Sequence, residues 1–422
     1  MRRTMRFAPR AATVLALTVG LAACGTTAST SNTSVSGSGK IDTSACPPAA
    51  TQAVTGDTIV LGTSGPLSGT YASVGATTRA IQAYVDVVNS QGGLQTKAGK
   101  KKLQLITLDD KYEAGRVQNN VHELVEKDGV TAVVGLVGTA NAKAVQPYLN
   151  QHCVPELFPL AGSASMLSKS TPFTSMTSTY VDQGVAMGKF IRQHYPNATI
   201  GALVQNDDTG NDTMRGIESA LQGSGVRVIA KQSYEPTDPD VKAQMTTLVA
   251  SGADVFVDLA LGVKCTQSLS LLKVSPLRPK ILTASMCSAG AVAAADAADL
   301  TQQMYRTNNT KSSSVAYGND PDYQLFHQAV EARGVNPGDA ELGWLTFQFC
   351  MAAIGNAEPL SSVGIAEAAF SLPPDTNIGF LEKGLPLSSE LGKATIQGYT
   401  LDKWDSAHAQ FVPTGEPSFA VS

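Results

Sequence analysis

Short apolar runs alternate with stretches of helical spacing from Thr58 onward, and this alternation constrains the fold more than any other feature of the sequence. The run TIVLGTSG, residues 58–65, is closed by glycine, and Ile81, Tyr84, Val85 and Val88 then recur on one helix face. Further apolar runs follow, with helical stretches between most of them: LQLITLDD, TAVVGLVG, CVPELFPL, ATIGALVQND, VRVIAKQSY, ADVFVDLAL and PKILTAS. The alternation predicts right-handed βαβ units, hence an α/β fold whose parallel sheets are covered by helices on both faces. Ligands of such sheets bind beyond the carboxyl ends of the strands, so the loops after the strands form the candidate site.

The chain length predicts two domains. Of the 422 residues, about 370 remain once an export signal and a tail are set aside, which is more than one compact core usually holds. Hydrophobic residues make up 43% and charged residues 16% of the chain, a composition typical of globular proteins. The formal net charge of -4 gives no indication of a nucleic-acid partner.

The N-terminus predicts export and membrane attachment. Arg2, Arg3, Arg6 and Arg10 precede an apolar stretch of 13 residues, too short to span a membrane and typical of a signal peptide over residues 1–23. LAACG, residues 21–25, then resembles the lipobox of bacterial lipoproteins, in which Cys24 receives the lipid and becomes the mature N-terminus. We therefore expect a lipid-anchored protein on the extracytoplasmic face of the cell membrane. The alternative is an ordinary signal peptide with a chance cysteine.

Residues 24–56 are rich in Ser, Thr, Gly and Ala, which predicts a flexible tether. The tether contains GSGK, residues 37–40. This is not a phosphate-binding loop, because Ile41 stands where Ser or Thr is required.

The cysteines predict one disulfide. Cys265 and Cys287 each follow an apolar strand-like run, and parallel neighbouring strands would bring those ends together, so we expect this pair to be bonded. The pairing of Cys46, Cys153 and Cys350 stays open. The cysteines are too scattered for a zinc site.

Four segments in order carry a family resemblance: GPLSGTYASVG (65–75), NSQGGL (89–94), LDDKYEAGRV (108–117) and AVVGLVGTANAKAVQP (132–147). They resemble the branched-chain amino-acid binding family of type I solute-binding proteins, the receptors of ABC importers. The resemblance implies two doubly wound lobes that close on a ligand by a hinge of three crossovers, near residues 174–180, 303–309 and 365–380. It assigns residues 57–175 with 306–370 to the first lobe and residues 176–305 with 371–422 to the second. A small-molecule solute and ABC permease subunits are the expected partners, with no cofactor and no metal.

Thr139 ends one strand and opens a helix, so it is either an N-cap or a ligand contact, and the two roles are compatible. Helix N–H groups there suit a carboxylate. In the next loop, PLAGSASM, Gly162 permits close approach of the backbone and Ser163 offers a hydroxyl, although a plain turn is the alternative. Together with these, the resemblance places the ligand on a set of ten residues: Ser68, Thr139, Ala140, Ala161, Gly162, Ser163, Tyr180, Thr209, Leu261 and Ser285.

The second-lobe half of this set predicts an unusual ligand. Amino-acid-binding relatives pair the ligand ammonium with an acidic residue, and the corresponding position here is Ser285. An unpaired buried ammonium is costly. We therefore expect a ligand with a polar or carboxylate end and an uncharged remainder rather than leucine itself, unless Asp207 or Asp208 supplies the charge.

Some residues also suggest metal binding, catalysis or a sensory role. Residues 207–212 carry several carboxylates but lack the terminal glutamate of a calcium-binding loop. We expect the Asp109–Asp110 pair to be structural rather than an acid–base couple. Tyr180 either stacks on a ligand or packs at the hinge. No hydrolase or metalloprotease motif occurs, so we expect no enzyme; an exported hydrolase is the weaker alternative. A binding protein that signals to a membrane kinase or another receptor, instead of delivering its ligand to an importer, would have the same sequence features.

Overall fold

The computed structural model describes residues 40–69, 71–285, 287–295, 298–301 and 303–421. The predicted signal peptide, Cys24 and the part of the predicted tether before Lys40 lie outside the described residues.

Two sheets divide the described chain into two lobes. The first lobe holds six strands in the order β2-β3-β1-β4-β5-β6: β1 Thr58–Gly65, β2 Leu94–Thr96, β3 Gly99–Asp109, β4 Ala132–Val134, β5 Glu156–Leu157 and β6 Thr174–Ser175. Its helices come from both ends of the chain: α1 Pro48–Thr51, α2 Ala76–Ser90, α3 Ala114–His122, α4 Thr139–His152, then α11 Ser314–Tyr317, α12 Pro321–Glu331, α13 Pro337–Asn356 and α14 Ser362–Ala369.

Alternation along β1 sorts its side chains between two helical layers. Ile59 and Leu61 pack with α2 and α13 in one core, whereas Val60 packs on the opposite face against the core formed by α3 and α4. A π-helical turn, Glu123–Lys127, extends α3. The period-two pattern thus buries the sheet on both faces, as parallel sheets require.

The second lobe follows the same plan. Its sheet has the order β13-β12-β11-β10-β9-β7-β8, with β14 paired to β12: β7 Thr199–Gln205, β8 Arg227–Tyr234, β9 Val255–Leu259, β10 Lys280–Thr283, β11 Met304–Asn308, β12 Gly398–Asp405, β13 Gln410–Pro413 and β14 Phe419–Ala420. Its helices are α5 Tyr180–His194, α6 Asp208–Ala220, α7 Lys242–Ala250, α8 Val263–Lys273, α9 Ala289–Ala294 and α10 Ala298–Thr301. Helices α5 and α6 cover one face, and α7, α8 and α9 cover the other. The predicted α/β class with two doubly wound parallel-sheet lobes is therefore confirmed.

The chain passes between the lobes three times. It leaves the first sheet between β6 and α5, returns after β11, where Thr310 bridges Leu381, and enters the second sheet again at β12. This last passage differs from the expectation of residues 365–380, because Phe380, Leu385 and Ile396 all pack in the core of the first lobe. Residues 371–396 therefore belong with the first lobe rather than the second. Strands β12 to β14 pair antiparallel and were not anticipated.

Residues 40–56, expected to be part of a flexible tether, pack on the first lobe. Ile41 and Ala50 are buried in a small core with Phe173 and Phe370, and the Lys40 ammonium donates to the Phe370 carbonyl at 2.5 Å. A disulfide joins Cys46 in this segment to Cys153 at the end of α4. Burial of apolar side chains and one covalent link explain why this stretch is held despite its tether-like composition.

The predicted disulfide between Cys265 and Cys287 is present, with the two Cα atoms 5.8 Å apart. The two cysteines come together for the reason expected: β9 and β10 are parallel neighbours, with Asp258 opposite Thr283. Cys350 is a buried free thiol in α13. None of the helices that the structure describes is both long enough and apolar enough to span a bilayer.

Candidate ligand-binding site

A cavity of about 110 Å³, called here the inner cavity, lies between the two lobes. It is bounded by loops that follow strands of both sheets, the place where parallel sheets bind ligands. The first lobe, the crossovers and the second lobe all contribute lining residues: Val74, Thr77, Tyr112, Val137, Gly138, Pro159–Gly162, Thr177–Tyr180, Gln183, Thr209, Leu261, Ser285, Asn309, Leu342, Leu345, Thr346 and Tyr399.

Most of the predicted ligand residues lie around this cavity. Six of the ten belong to its lining: Ala161, Gly162, Tyr180, Thr209, Leu261 and Ser285. They come from segments more than 120 residues apart in sequence, between Ala161 and Ser285. The fold thus brings both predicted halves together, while contact of these residues with a ligand stays a prediction.

The other four predicted residues do not line the inner cavity. The Ser68 hydroxyl donates to the Asp109 carboxylate at 2.5 Å, and Ala140 is exposed on α4. The Ser163 hydroxyl is used by Ser165 at 2.9 Å and by the Asp212 carboxylate at 3.3 Å. Ser68 and Ser163 are therefore hydrogen-bonded to other protein groups, and Ala140 is exposed on its helix, although the resemblance had assigned these residues to the ligand.

Thr139 does not line the inner cavity, although it contacts a tyrosine that does. It is the first residue of α4, while the N-cap itself is Gly138, with φ 98° and no side-chain cap. The Thr139 hydroxyl donates to the Tyr180 hydroxyl over 3.3 Å. The Thr139 hydroxyl is thus engaged by a tyrosine that itself lines the inner cavity.

Two glycines make room for tyrosine rings at the lining of the first lobe. A Cβ atom on Gly162 would lie 2.4 Å from the Tyr180 ring, and one on Gly138 would lie 2.8 Å from the Tyr112 ring. The Tyr180 amide also donates to the Gly162 carbonyl at 2.7 Å. Burial raises the pKa of Tyr180 and of Tyr112, so both phenols are neutral hydrogen-bonding groups at physiological pH.

No charged side chain occurs in the inner-cavity lining within the described part of the chain. The polar groups are hydroxyls and amides, and the Gln183 amide donates to the Ser285 hydroxyl at 2.7 Å. The two candidate carboxylates are occupied elsewhere. Asp207 caps α6 by accepting from Thr209 and Gly210, and Asp208 pairs with Lys143 of the first lobe at 2.6 Å.

The paired carboxylates Asp109 and Asp110 shape the loops around them. Asp109 accepts from Ser68 and from the Leu67 amide at 2.9 Å. Asp110 is buried and accepts from the Ser64 hydroxyl and the Tyr112 amide, each at 2.8 Å. This arrangement fixes the backbone that presents Tyr112.

A second space, called here the outer cavity, adjoins the inner one. Its volume is about 470 Å³, and the two share Val74, Thr77, Leu261, Ser285 and Leu342. Unlike the inner cavity, it has charged side chains in its lining, namely Arg306, Asp339 and Glu341.

Several lining residues were missed by the sequence analysis. Tyr112 follows a strand next to Asp109–Asp110, where the carboxylates are the more conspicuous feature of the sequence. Gln183 lies one turn into α5, and Tyr399 belongs to the unanticipated β12. Searching the loops after the strands does not find Gln183 or Tyr399, because both reach the cavity through the crossovers between the lobes.

Comparison with known proteins identifies the family of the chain. The family described as periplasmic binding protein matches residues 58–383. The leucine-, isoleucine-, valine-, threonine- and alanine-binding protein of Pseudomonas aeruginosa is 23% identical over 205 residues, 48% of this chain and 54% of that protein. The chain thus spans about half the length of the curated relatives that it matches.

Solved structures share the fold. A branched-chain amino acid ABC transporter protein from Thermus thermophilus with bound valine superposes with a TM-score of 0.74 at 16% identity, over 87% of this chain and 97% of that one. A fatty acid ABC transporter substrate-binding protein from Thermomonospora curvata gives 0.72 at 20% identity, over 87% and 94%. At these identities the likeness shows the fold alone.

Two lobes around a shared cavity define a bilobal solute-binding protein. The chain belongs to the periplasmic binding protein family, as a type I member related to the branched-chain amino acid binding proteins. The relatives and structural neighbours described above are binding proteins rather than enzymes.

Proposed function

We propose that this chain is a lipid-anchored, extracytoplasmic solute-binding protein that captures a small ligand by closure of its lobes and delivers it to an ABC importer. Its ligand has a carboxylate or another acceptor-rich polar end and lacks an α-ammonium group. The observation that carries this ligand class is the lining of the inner cavity, in which no described side chain is charged.

An α-ammonium group would find no counter-charge among the described residues of this lining. A cation enclosed between the lobes needs an opposite charge, because desolvation of an unpaired ion costs several kcal/mol. Ser285 is neutral, Asp207 caps a helix, and Asp208 already pairs with Lys143. Hydroxyl and amide groups such as those of Tyr112, Thr209 and Gln183 suit an acceptor-rich group instead.

Proteins of the same fold bind both kinds of ligand. The Thermus thermophilus structure holds valine, whereas the Thermomonospora curvata protein is described as a fatty acid ABC transporter substrate-binding protein. The fold is therefore compatible with a ligand that has a carboxylate but no α-amino group, and the choice rests on the cavity side chains.

Calorimetry with matched pairs tests the ligand class. We expect isocaproate or isovalerate, the acids without the amino group, or their amides to bind more tightly than leucine or valine. Tight binding of leucine, abolished by Asp208→Asn, would contradict the proposal, because it would show that this carboxylate leaves Lys143 to pair with the ligand.

A gain-of-function variant provides a second test. Ser285→Glu places a carboxylate next to the Gln183 amide, and we expect leucine affinity to rise by about tenfold or more, since the ammonium then has a partner. Ser285→Gln is the matched control, with a similar shape and no charge. An equal response of both variants would argue against a missing counter-charge.

Anchoring and delivery are tested in cells. We expect Cys24→Ser to release the protein from the membrane fraction, and the intact mass of the wild type to include acyl chains on Cys24. Unchanged fractionation of the variant would exclude the anchor. Deletion of the gene should abolish uptake of the bound ligand, whereas normal uptake would favour a sensory receptor.

A further inference from the structure

The inner and outer cavities form one elongated space between the lobes. They share five lining residues, and the outer cavity is the larger, about 470 Å³ against about 110 Å³. Three of the shared residues, Val74, Leu261 and Leu342, are apolar, so the junction between the cavities is largely hydrophobic. A ligand confined to the inner cavity would leave this apolar surface in contact with water.

The outer cavity has a different electrostatic character. The Arg306 guanidinium is buried, lies 4.3 Å from the Phe411 ring centroid and is 3.5 Å from the Glu341 carboxylate, so its charge is already partnered. Asp339, in the first turn of α13, forms no ion pair with any described residue. The outer cavity therefore presents a net excess of negative charge, together with the hydroxyls of Thr266 and Ser288.

We propose that the ligand is an elongated acid that occupies both cavities. Its carboxylate or acceptor-rich head lies in the inner cavity, its apolar middle crosses the junction, and its far end is a hydrogen-bond donor, such as a hydroxyl or amine, in the outer cavity. A second carboxylate at the far end is disfavoured by repulsion from Asp339, because Glu341 is already paired with Arg306. This inference rests on the proposed function and specifies its ligand further.

A series of acids tests the length. We expect decanoate to bind more tightly than pentanoate, because the longer chain covers the apolar junction. We also expect ω-hydroxydecanoate to bind about tenfold or more tightly than decanedioate, because only the diacid places an anion beside Asp339. Asp339→Asn should narrow that difference while leaving pentanoate affinity unchanged. Affinities that do not depend on chain length would overturn the proposal.

A steric variant tests the location. Ala291 lines the outer cavity and not the inner one. Ala291→Phe should lower decanoate affinity by about tenfold or more and leave pentanoate affinity unchanged, and Ala291→Ser should change neither. Equal decanoate affinity in Ala291→Phe and the wild type would show that the outer cavity is only a water-filled mouth.

The outcomes separate this inference from the proposed function. If pentanoate and decanoate bind equally and leucine does not bind, the proposed function stands and the elongated ligand fails. If leucine alone binds, both fail. Because Asp339 is partly exposed, Asp339→Asn keeps the test decisive even if Ala291→Phe does not fold.

Discussion

Glu156, at the start of β5, has a carboxyl group that the first lobe buries completely. One oxygen accepts from the Thr174 hydroxyl at 3.1 Å, and the other has no hydrogen-bond partner among the described residues. Burial raises the pKa of Glu156 to about 8, so the folded protein holds a proton that the unfolded chain releases above its ordinary pKa of 4.5. This residue therefore makes stability fall as the pH rises from about 4.5 to about 8.

Glu156→Gln should remove that pH dependence. We expect its free energy of unfolding to match the wild type near pH 4.5 and to exceed it by about 2–3 kcal/mol at about pH 7.5. Urea denaturation across this pH range measures the effect. Glu358→Gln, which changes an exposed carboxylate on the same lobe, is the control and should not alter the pH profile. Parallel profiles for Glu156→Gln and the wild type would refute the assignment.

The disulfide between Cys265 and Cys287 closes a loop of 22 residues in the second lobe. Replacing both cysteines by serine should lower the free energy of unfolding by about 3 kcal/mol, because the unfolded chain regains conformational freedom. Denaturation curves test this value, and peptide mapping without reduction tests the bond. Recovery of both residues as free thiols from exported protein would count against it.

At the scale of elements, the start of α5 positions the cavity wall. Thr179 caps this helix by accepting from the Asp182 amide at 3.1 Å, and the next residue, Tyr180, lies against the Gly162 loop. One helix end thus links the first crossover to the first-lobe lining.

Gly162→Ala tests this contact. The new methyl group would lie 2.4 Å from the Tyr180 ring, so the ring must shift, and we expect a loss of about 1–3 kcal/mol in stability together with weaker ligand binding. Gly115→Ala is the matched control, because its methyl group meets no atom within 4 Å and α3 is helical there. If both variants bind and unfold like the wild type, the Tyr180 ring is not held by this loop.

At the scale of the whole molecule, several polar contacts join the lobes across the cleft. Lys143 pairs with Asp208, the Tyr71 hydroxyl donates to the Pro236 carbonyl at 3.1 Å, and Ser163 donates to Asp212. They are separate from the inner-cavity lining and can favour the closed arrangement whatever ligand is bound.

Lys143→Ala should weaken closure. Since both partners are more than one third exposed, the pair contributes at most about 1 kcal/mol, so we expect ligand affinity to fall by about two- to fivefold, with a larger fall at low salt. Lys97→Ala removes the same charge from an exposed pair with Glu358 inside the first lobe, and it should leave affinity unchanged. The idea fails if the two variants have the same affinity at every salt concentration.

The sequence by itself determined the features that depend on local pattern. The apolar run TIVLGTSG, closed by glycine, located β1 with its end residues. Helical spacing at Ile81, Val85 and Val88 located the buried face of α2. The same pattern placed Cys265 and Cys287 after neighbouring parallel strands. It also brought Gly162, Thr209 and Ser285 to one cavity, because strand ends meet at one edge of a parallel sheet.

Only the tertiary structure decided which groups face that cavity. Thr139 and Ser163 carry suitable hydroxyls, but Tyr180 and Asp212 engage them over distances of 41 and 49 residues in sequence. Gln183 and Tyr399 reach the cavity through the crossovers, and residues 40–56 are held by a disulfide to Cys153. These outcomes depend on contacts between residues far apart in the chain, whose geometry no local periodicity encodes.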